Sequence, residues 1–318
     1  MVPEEVAGWR VDAFLAARFS SWSRTTVKQE LKAGNIRSAA RRLKPATRVE
    51  VGEELRIFTP GFAPPGPPPP LPPVLHEDAR LLVLNKPAGL LVHPAGDRFA
   101  YAVIGLAKAA RPGARIDLCH RLDRDTSGVL VLTKDHEANA FVKAALNRRA
   151  DQLEKTYLAV ARGQVDWEEL EVRAPIGDRV ESEVRLRRGV VPVEEGGKAA
   201  WTTFSRVARL ACGSLVSCTL HTGRTHQIRV HLEHVGHPIL GDKVYGHPDS
   251  VFIDWNQHGP TEAVRAAVGF PRHCLHAWRL RLPHPDGGVV ELEAPLTPEL
   301  QDLVDGGLPD WPAAPPNA

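Results

Sequence analysis

The run His120-Arg121-Leu122-Asp123-Arg124-Asp125-Thr126-Ser127-Gly128 sets two carboxylates among two arginines and leads straight into the apolar Val129-Leu130-Val131-Leu132. A carboxylate held between arginines at the mouth of a buried strand stays ionised even where water is scarce, and is then equipped for nucleophilic or base chemistry. Asp123 is the first candidate. The commoner use of such a charge cluster is a surface loop laced with salt bridges. Further along, His221, His226, His231, His234 and His237 crowd a second polar stretch, and imidazoles invite a zinc reading. The spacing argues against it. His226 and His231 are five residues apart and subtend about 140° on a helix, and no H-E-x-x-H accompanies them.

The elements that must hold these residues are legible from periodicity. Leu81 to Leu84 and Val129 to Thr133 read as buried strands, as do Lys155 to Arg162, Trp201 to Val207, Gly213 to Leu220 and Val289 to Leu292. Asp135 is placed to cap a helix with Ala138, Phe141, Val142, Ala145 and Leu146 on one face, and Thr225 to cap another whose apolar face is Ile228, Leu232 and Val235, with Arg229 off that face. Strands and helices mix without a βαβ repeat, which predicts an α+β domain from residue 74 to 305. Nine of the fourteen residues from Pro60 to Pro73 are proline, a composition suited to a semi-rigid spacer, so residues 60–73 are expected to be a linker. Residues 1–59 then form a second, small α/β unit. Val11, Phe14, Leu15, Arg18 and Phe19 have helical spacing, and Ser23 is placed to cap a second helix carrying Val27 and Leu31 and ended by Gly34. Val49, Val51, Leu55 and Ile57 alternate around a Gly52 turn as short strands do. The tail, 306–318, is expected to be disordered.

Composition bounds the function. A chain of 318 residues with 43% hydrophobic and 25% charged residues is long enough for a sizeable core, and it contains neither an 18-residue apolar run nor a signal-peptide pattern. A cytoplasmic protein is expected. Cys119, Cys212, Cys218 and Cys274 lack C-x-x-C spacing, which speaks against a zinc ribbon or a redox pair and leaves reduced thiols as the default. The net charge is only +2, but Arg10 to Arg48 contains ten Lys or Arg against Asp12 and Glu30. That concentration at one end points to a polyanion.

The string H-R-L-D-x-x-T-S-G resembles the signature of the RluA-type pseudouridine synthases, which isomerise uridine in RNA. Asn85-Lys86-Pro87-Ala88-Gly89-Leu90-Leu91-Val92-His93-Pro94 resembles that family's K-P-x-G-L-x-V-H-P segment, and Lys155-Thr156-Tyr157 its K-x-Y motif. His221 to His231, Gly236 to Asp242, Leu275-His276-Ala277 and His284-Pro285 follow in family order, so the resemblance spans about Val74 to Pro295. Before the linker, the helix pair with Ser23-Arg24 opening its second member resembles an S-four type RNA-binding domain, with Ser38-Ala39-Ala40 where that domain usually has an Asn-Gly turn.

The resemblance implies a mainly antiparallel mixed sheet and a reaction that breaks a uridine's glycosidic bond, turns the uracil and rejoins it through carbon 5. No cofactor is expected. It implies Asp123 as the acting carboxylate, Arg229 as its ion-pair partner, Tyr157 stacked on the base, and Ile228 and Leu275 as apolar walls. Arg121 is expected to fill the space left by the flipped nucleotide, and His120 and Thr126 to contact substrate. Arg24, Lys28, Lys32 and Arg37 are the positions expected to meet RNA phosphates. The expected partner is RNA, large-subunit ribosomal RNA first and tRNA as the alternative, bound by a monomer. Two other readings compete: a nucleoside or glycoside hydrolase using Asp123 and Asp125 as a carboxylate pair, and a non-catalytic RNA-binding or ribosome-assembly protein.

Overall fold

The computed structural model describes residues 2–19, 22–33, 35–38, 40–57, 68–93, 99–148 and 152–307. Gly34, Ala39, Pro94, residues 60–67 of the proline-rich segment and 308–318 of the tail lie outside the described residues. The chain divides into two compact units, Met1–Pro70 with His93–Ala110, and Leu71–Val92 with Arg111–Ala318. Residues 93–110 thus group with the N-terminal unit, a division that no composition shift announces.

In the first unit, helices α1 (Val11–Arg18) and α2 (Arg24–Ala33) precede strands β1 (Ile36–Ser38) and β2 (Leu55–Ile57), which pair antiparallel with Ile36 opposite Ile57. A third helix, α3 (Val103–Ala109), also belongs to this unit. Ser23 caps α2 as its type predicts, its hydroxyl accepting the Thr26 N–H at 3.0 Å. Val11, Phe14, Leu15, Val27, Ile36 and Val49 share one apolar core. Gly52 closes the expected turn in the left-handed region (φ 73°), but Val49 and Val51 before it fall outside β1 and β2, with Val51 61% exposed.

Under that core sits a buried carboxylate. Asp12 accepts from Arg10 Nε and Nη2 at 3.1 Å each and from Arg24 Nη2 at 3.1 and 3.2 Å. Hydrogen bonding to Arg10, opposed by burial and reinforced by Arg24, holds it at about 2 instead of the usual 3.8. A depressed carboxylate contributes stability above its unfolded pKa, and loses it as pH falls through the folded one. Thermal melts should therefore show Asp12→Asn destabilised at pH 6, with the gap to wild type closing as pH drops from about 4 toward 2. Parallel pH profiles would mean that the clamp contributes nothing.

The second unit is built on a ten-stranded sheet. Its members are β3 (Val74–Glu77), β4 (Leu81–Lys86), β5 (Asp117–Leu118), β6 (Ser127–Thr133), β7 (Glu154–Arg162), β8 (Glu169–Val172), β11 (Thr202–Leu210), β12 (Gly213–Leu220), β13 (Leu275–Pro283) and β14 (Val289–Glu293). A short hairpin, β9 (Ile176–Asp178) with β10 (Arg188–Val190), stands apart. The sheet order is β3-β4-β6-β13-β7-β12-β11-β8, with β5 on β6 and β14 on β13. All of these pairs are antiparallel except β13 with β6, where His276 lies opposite Ser127 and Ala277 opposite Gly128. The α+β, mainly antiparallel architecture is the expected one.

Helices α4 (His136–Arg148), α5 (Gln227–His234), α6 (Asp249–His258), α7 (Glu262–Val268) and α8 (Pro298–Val304) complete the unit. Strands β4 and β6 read as unbroken apolar runs because both their faces are covered: Leu81 to Leu84 and Leu130 to Leu132 are fully buried. On one side Val142 of α4 joins Leu81, Val83, Val129 and Val131, and elsewhere Ile228 and Leu232 of α5 join Leu158, Val160 and Leu275. Phe141 departs from its expected place in the core. At 41% exposed it sits about 100° around α4 from Val142, on the helix shoulder. Among the described residues no helix is long and apolar enough to cross a membrane.

Candidate active site

The signature run folds as a loop that enters β6, and its last three residues are tied to the strand beside it. Thr126 Oγ1 pairs with His273 Nε2 at 2.8 Å, and Ser127 Oγ with His276 Nδ1 at 2.9 Å. Gly128 is required by the parallel neighbour, since a Cβ there would lie 2.1 Å from the Ala277 carbonyl oxygen. From the other side, the fully buried Lys86 donates its ammonium to the carbonyls of Pro87 (2.8 Å), Leu90 (2.8 Å) and Arg124 (2.9 Å). Three donors meet three acceptors, and the K-P-x-G-L segment is thereby stitched to the acid's own loop. Burial draws the Lys86 pKa down to about 7, an effect that the charge of Asp125 opposes.

Asp123 projects from this loop into a cleft of about 430 Å³. All eight residues expected to act on the substrate line it: Asp123, Arg229, Tyr157, Arg121, Ile228, Leu275, His120 and Thr126. Tyr157 and Lys155, two apart on β7, face the same side of the strand. Ile228 and Leu275 supply buried apolar surface, while Arg121 is exposed at the rim. His120 is anchored as well as lining: its Nε2 accepts the Val131 N–H at 3.0 Å, and burial lowers its pKa to about 4, leaving a neutral ring.

Arg229 is the hinge of the charge arrangement. Its Nη1 donates to Asp123 Oδ2 at 3.0 Å, while Nε and Nη2 form a two-pronged pair with Asp242 at 2.7 and 2.9 Å. Asp242 is fully buried and also accepts the N–H groups of Val244 (2.9 Å) and Tyr245 (3.1 Å), so its ionised form is fully satisfied. Burial, the largest single influence, pushes the Asp123 pKa up, but the charge and hydrogen bond of Arg229 together with the nearby His226 and His273 outweigh it, and the net shift is downward. The Tyr157 hydroxyl moves up, through burial and the nearby Asp123 charge, and stays neutral.

Among the described residues lining the cleft, Asp123 is the single carboxylate, against Arg121, Lys155, Arg224 and Arg229. Asp125 is turned away onto Arg124 Nε (2.9 Å) and Lys243 Nζ (3.1 Å), which leaves a paired-carboxylate hydrolase without its second acid. The histidines are occupied with other work. His231 is clasped between Thr202 Oγ1 and the Ala174 carbonyl, both at 2.9 Å, His221 pairs with Thr203 Oγ1 at 2.8 Å, and His237 meets the Arg162 carbonyl at 3.0 Å.

Several working residues were not foreseen. Asp242, Lys86, His273 and His276 stood in the quoted motifs or beside them, without a role. The N-cap of α5 is His226, not the exposed Thr225, because Gln227 is drawn inward to bond Thr222, Arg224, Trp201 and Thr202. The four residues expected to meet RNA lie in the N-terminal unit, where Lys28, Lys32 and Arg37 are exposed and Arg24 commits Nη2 to Asp12.

The chain is similar to known proteins over most of its length. Residues 80–234 match the RNA pseudouridylate synthase family. The chain is 34% identical to ribosomal large subunit pseudouridine synthase C of Escherichia coli K12, covering 93% of this chain and 92% of that one. It is 35% identical to ribosomal large subunit pseudouridine synthase D of Nitrosomonas europaea, covering 95% and 86%. The solved structure of human RNA Pseudouridylate Synthase Domain Containing 4 superposes with a TM-score of 0.56 at 27% identity, over 73% of this chain and 91% of that one. A single-carboxylate cleft on a mixed sheet, motifs in order and relatives matched nearly end to end lead to one conclusion: this chain belongs to the RNA pseudouridylate synthase family and is an RNA pseudouridine synthase.

Proposed function

We propose that the chain isomerises specific uridines of large-subunit ribosomal RNA, with Asp123 as the catalytic group. The observation that carries this reading is the ionised Asp123, the single carboxylate among the described residues of a cleft whose other described charges are cationic. The bond between the sugar's anomeric carbon and N1 breaks, a bond from the same carbon to C5 forms, and the C5 proton leaves as N1 regains one. The reaction is redox-neutral. Asp123 acts either as nucleophile toward the anomeric carbon or as base toward the neighbouring carbon-bound proton, and both roles need the same ionised oxygen. Arg229 keeps it ionised and fixes its rotamer.

A stacked uridine cannot reach this oxygen, so the nucleotide is flipped into the cleft. Tyr157 then stacks on the base between Ile228 and Leu275, and Arg121 at the rim takes the vacated space as a planar cation. The relatives' names support ribosomal RNA as substrate, and the enzyme acts as a cytoplasmic monomer. Mapping pseudouridines by carbodiimide-dependent reverse-transcription stops, with and without the gene, tests the substrate. Loss of stops in large-subunit rRNA is expected. Loss in tRNA alone moves the substrate there, and unchanged maps in both overturn the reading.

The basic N-terminal unit adds phosphate contacts of its own to RNA binding. Replacing Lys28, Lys32 and Arg37 by Ala should weaken RNA binding and cut the slope of log K against log salt by about 2, given about 0.7–0.9 per contact. The single-turnover rate at saturating RNA should hold. Unchanged affinity would make the unit a bystander.

A further inference from the structure

Among the described residues, His226 is the one non-glycine with a left-handed backbone (φ 59°). Residues bearing a Cβ seldom adopt that conformation, and His226 makes no side-chain cap to α5 in return. Its neighbour Gln227 locks the backbone there through four side-chain hydrogen bonds. What the conformation secures is the direction of the ring. Nδ1 meets the Tyr245 hydroxyl at 2.8 Å, and Nε2 lies 3.6 Å from Asp123 Oδ2.

The Tyr245 hydroxyl oxygen accepts the Arg188 backbone N–H at 3.0 Å, and its own proton has His226 Nδ1 as acceptor. With the Tyr245 hydroxyl as that donor, the ring proton is assigned to Nε2, toward Asp123. Burial and then the Arg229 charge hold His226 near pKa 4, so at neutral pH the ring is an uncharged donor. Arg229 Nη1 reaches the same oxygen, Oδ2, at 3.0 Å. No described residue donates a hydrogen bond to Oδ1.

We propose that His226 is a positioning residue: with Arg229 it holds Asp123 by Oδ2, so that Oδ1 is the oxygen presented to the uridine sugar. The 3.6 Å contact tightens to a hydrogen bond when RNA fills the cleft. Tyr245 acts one step further out, by keeping the proton of His226 on the nitrogen that faces the acid. The proposal rests on Asp123 being the reacting carboxylate.

Single-turnover rates at saturating RNA, with RNA affinity and melting temperature, are to be measured for His226→Gly, His226→Gln, Tyr245→Phe, the His226→Gly/Tyr245→Phe double variant and Asp123→Asn. Glycine is at ease in the left-handed region, so His226→Gly removes the ring without straining the chain. It should lose about 10- to 100-fold in rate with RNA affinity within about two-fold of wild type. His226→Gln, whose amide N–H reaches toward the same oxygen, should recover part of that loss, and the double variant should be no slower than His226→Gly alone. A wild-type rate in His226→Gly, a glutamine variant no better than glycine, or losses that multiply in the double variant would each overturn the proposal. If Asp123→Asn stays active, the assignment of Asp123 itself fails. A dead Asp123→Asn beside an unaffected His226→Gly removes only the positioning role.

Discussion

Asp123→Asn is expected to cut the single-turnover rate by at least about 10²-fold, the scale of a lost nucleophile or base. Folding and RNA affinity should stay close to wild type. The amide keeps the carboxylate's shape and still offers an oxygen to Arg229, whose buried partner Asp242 is untouched. What disappears is the charge that Arg229 sustains against burial. Rapid-quench assays on uridine-labelled RNA read the rate, and recovery of the label as a C-linked nucleoside within the chain, not as free uracil, reads the reaction type. A variant retaining more than a tenth of the wild-type rate would sink the assignment.

Arg229→Ala should be as severe in rate and, unlike Asp123→Asn, costly in stability. Truncation leaves Asp242 fully buried with only the two backbone N–H groups of Val244 and Tyr245. Breaking a buried pair from one side costs about 3–5 kcal/mol, or roughly 4–8 °C of melting temperature in a protein of this size. The pH dependence has a definite sign. In wild type the Asp242 pKa is depressed against the pull of burial by Arg229, so its contribution is present above about 3.8 and lost below. In the variant burial is opposed chiefly by the two backbone N–H groups, the folded pKa rises, and the destabilisation eases as acid neutralises the carboxylate. The stability gap should therefore narrow from pH 7 toward pH 4. A gap that is constant with pH would mean that Asp242 is not the origin of the loss.

The sequence carried the local terms of this fold well. Gly213 to Leu220 and Val129 to Thr133 were readable as strands because apolar runs bounded by turn residues have few other uses, and Asp135 does cap α4, accepting the Ala138 N–H at 2.8 Å. Asp123 was readable because an acid among arginines before a buried strand is chemically conspicuous. Partnerships across the chain were not readable. Nothing in Gly241-Asp242 announces that its carboxylate meets Arg229 thirteen residues earlier, since the turn that brings them together is set by tertiary packing. Lys86 reads as a surface lysine until its three carbonyl partners are seen, and His226 was weighed as a metal ligand because periodicity carries no backbone angle.

The parallel pairing of β6 with β13 also dictates when the enzyme becomes active. Thr126 and Ser127, which anchor the acid's loop, find His273 and His276 only across separations of 147 and 149 residues. Such contacts bear a loop-closure entropy before they return any stability. A nascent chain still lacking β13 carries Asp123 on an unanchored loop, with one wall of its cleft, Leu275, not yet made. Catalytic competence thus waits on β13, since the acid's loop is anchored and the cleft walled only once that strand has docked.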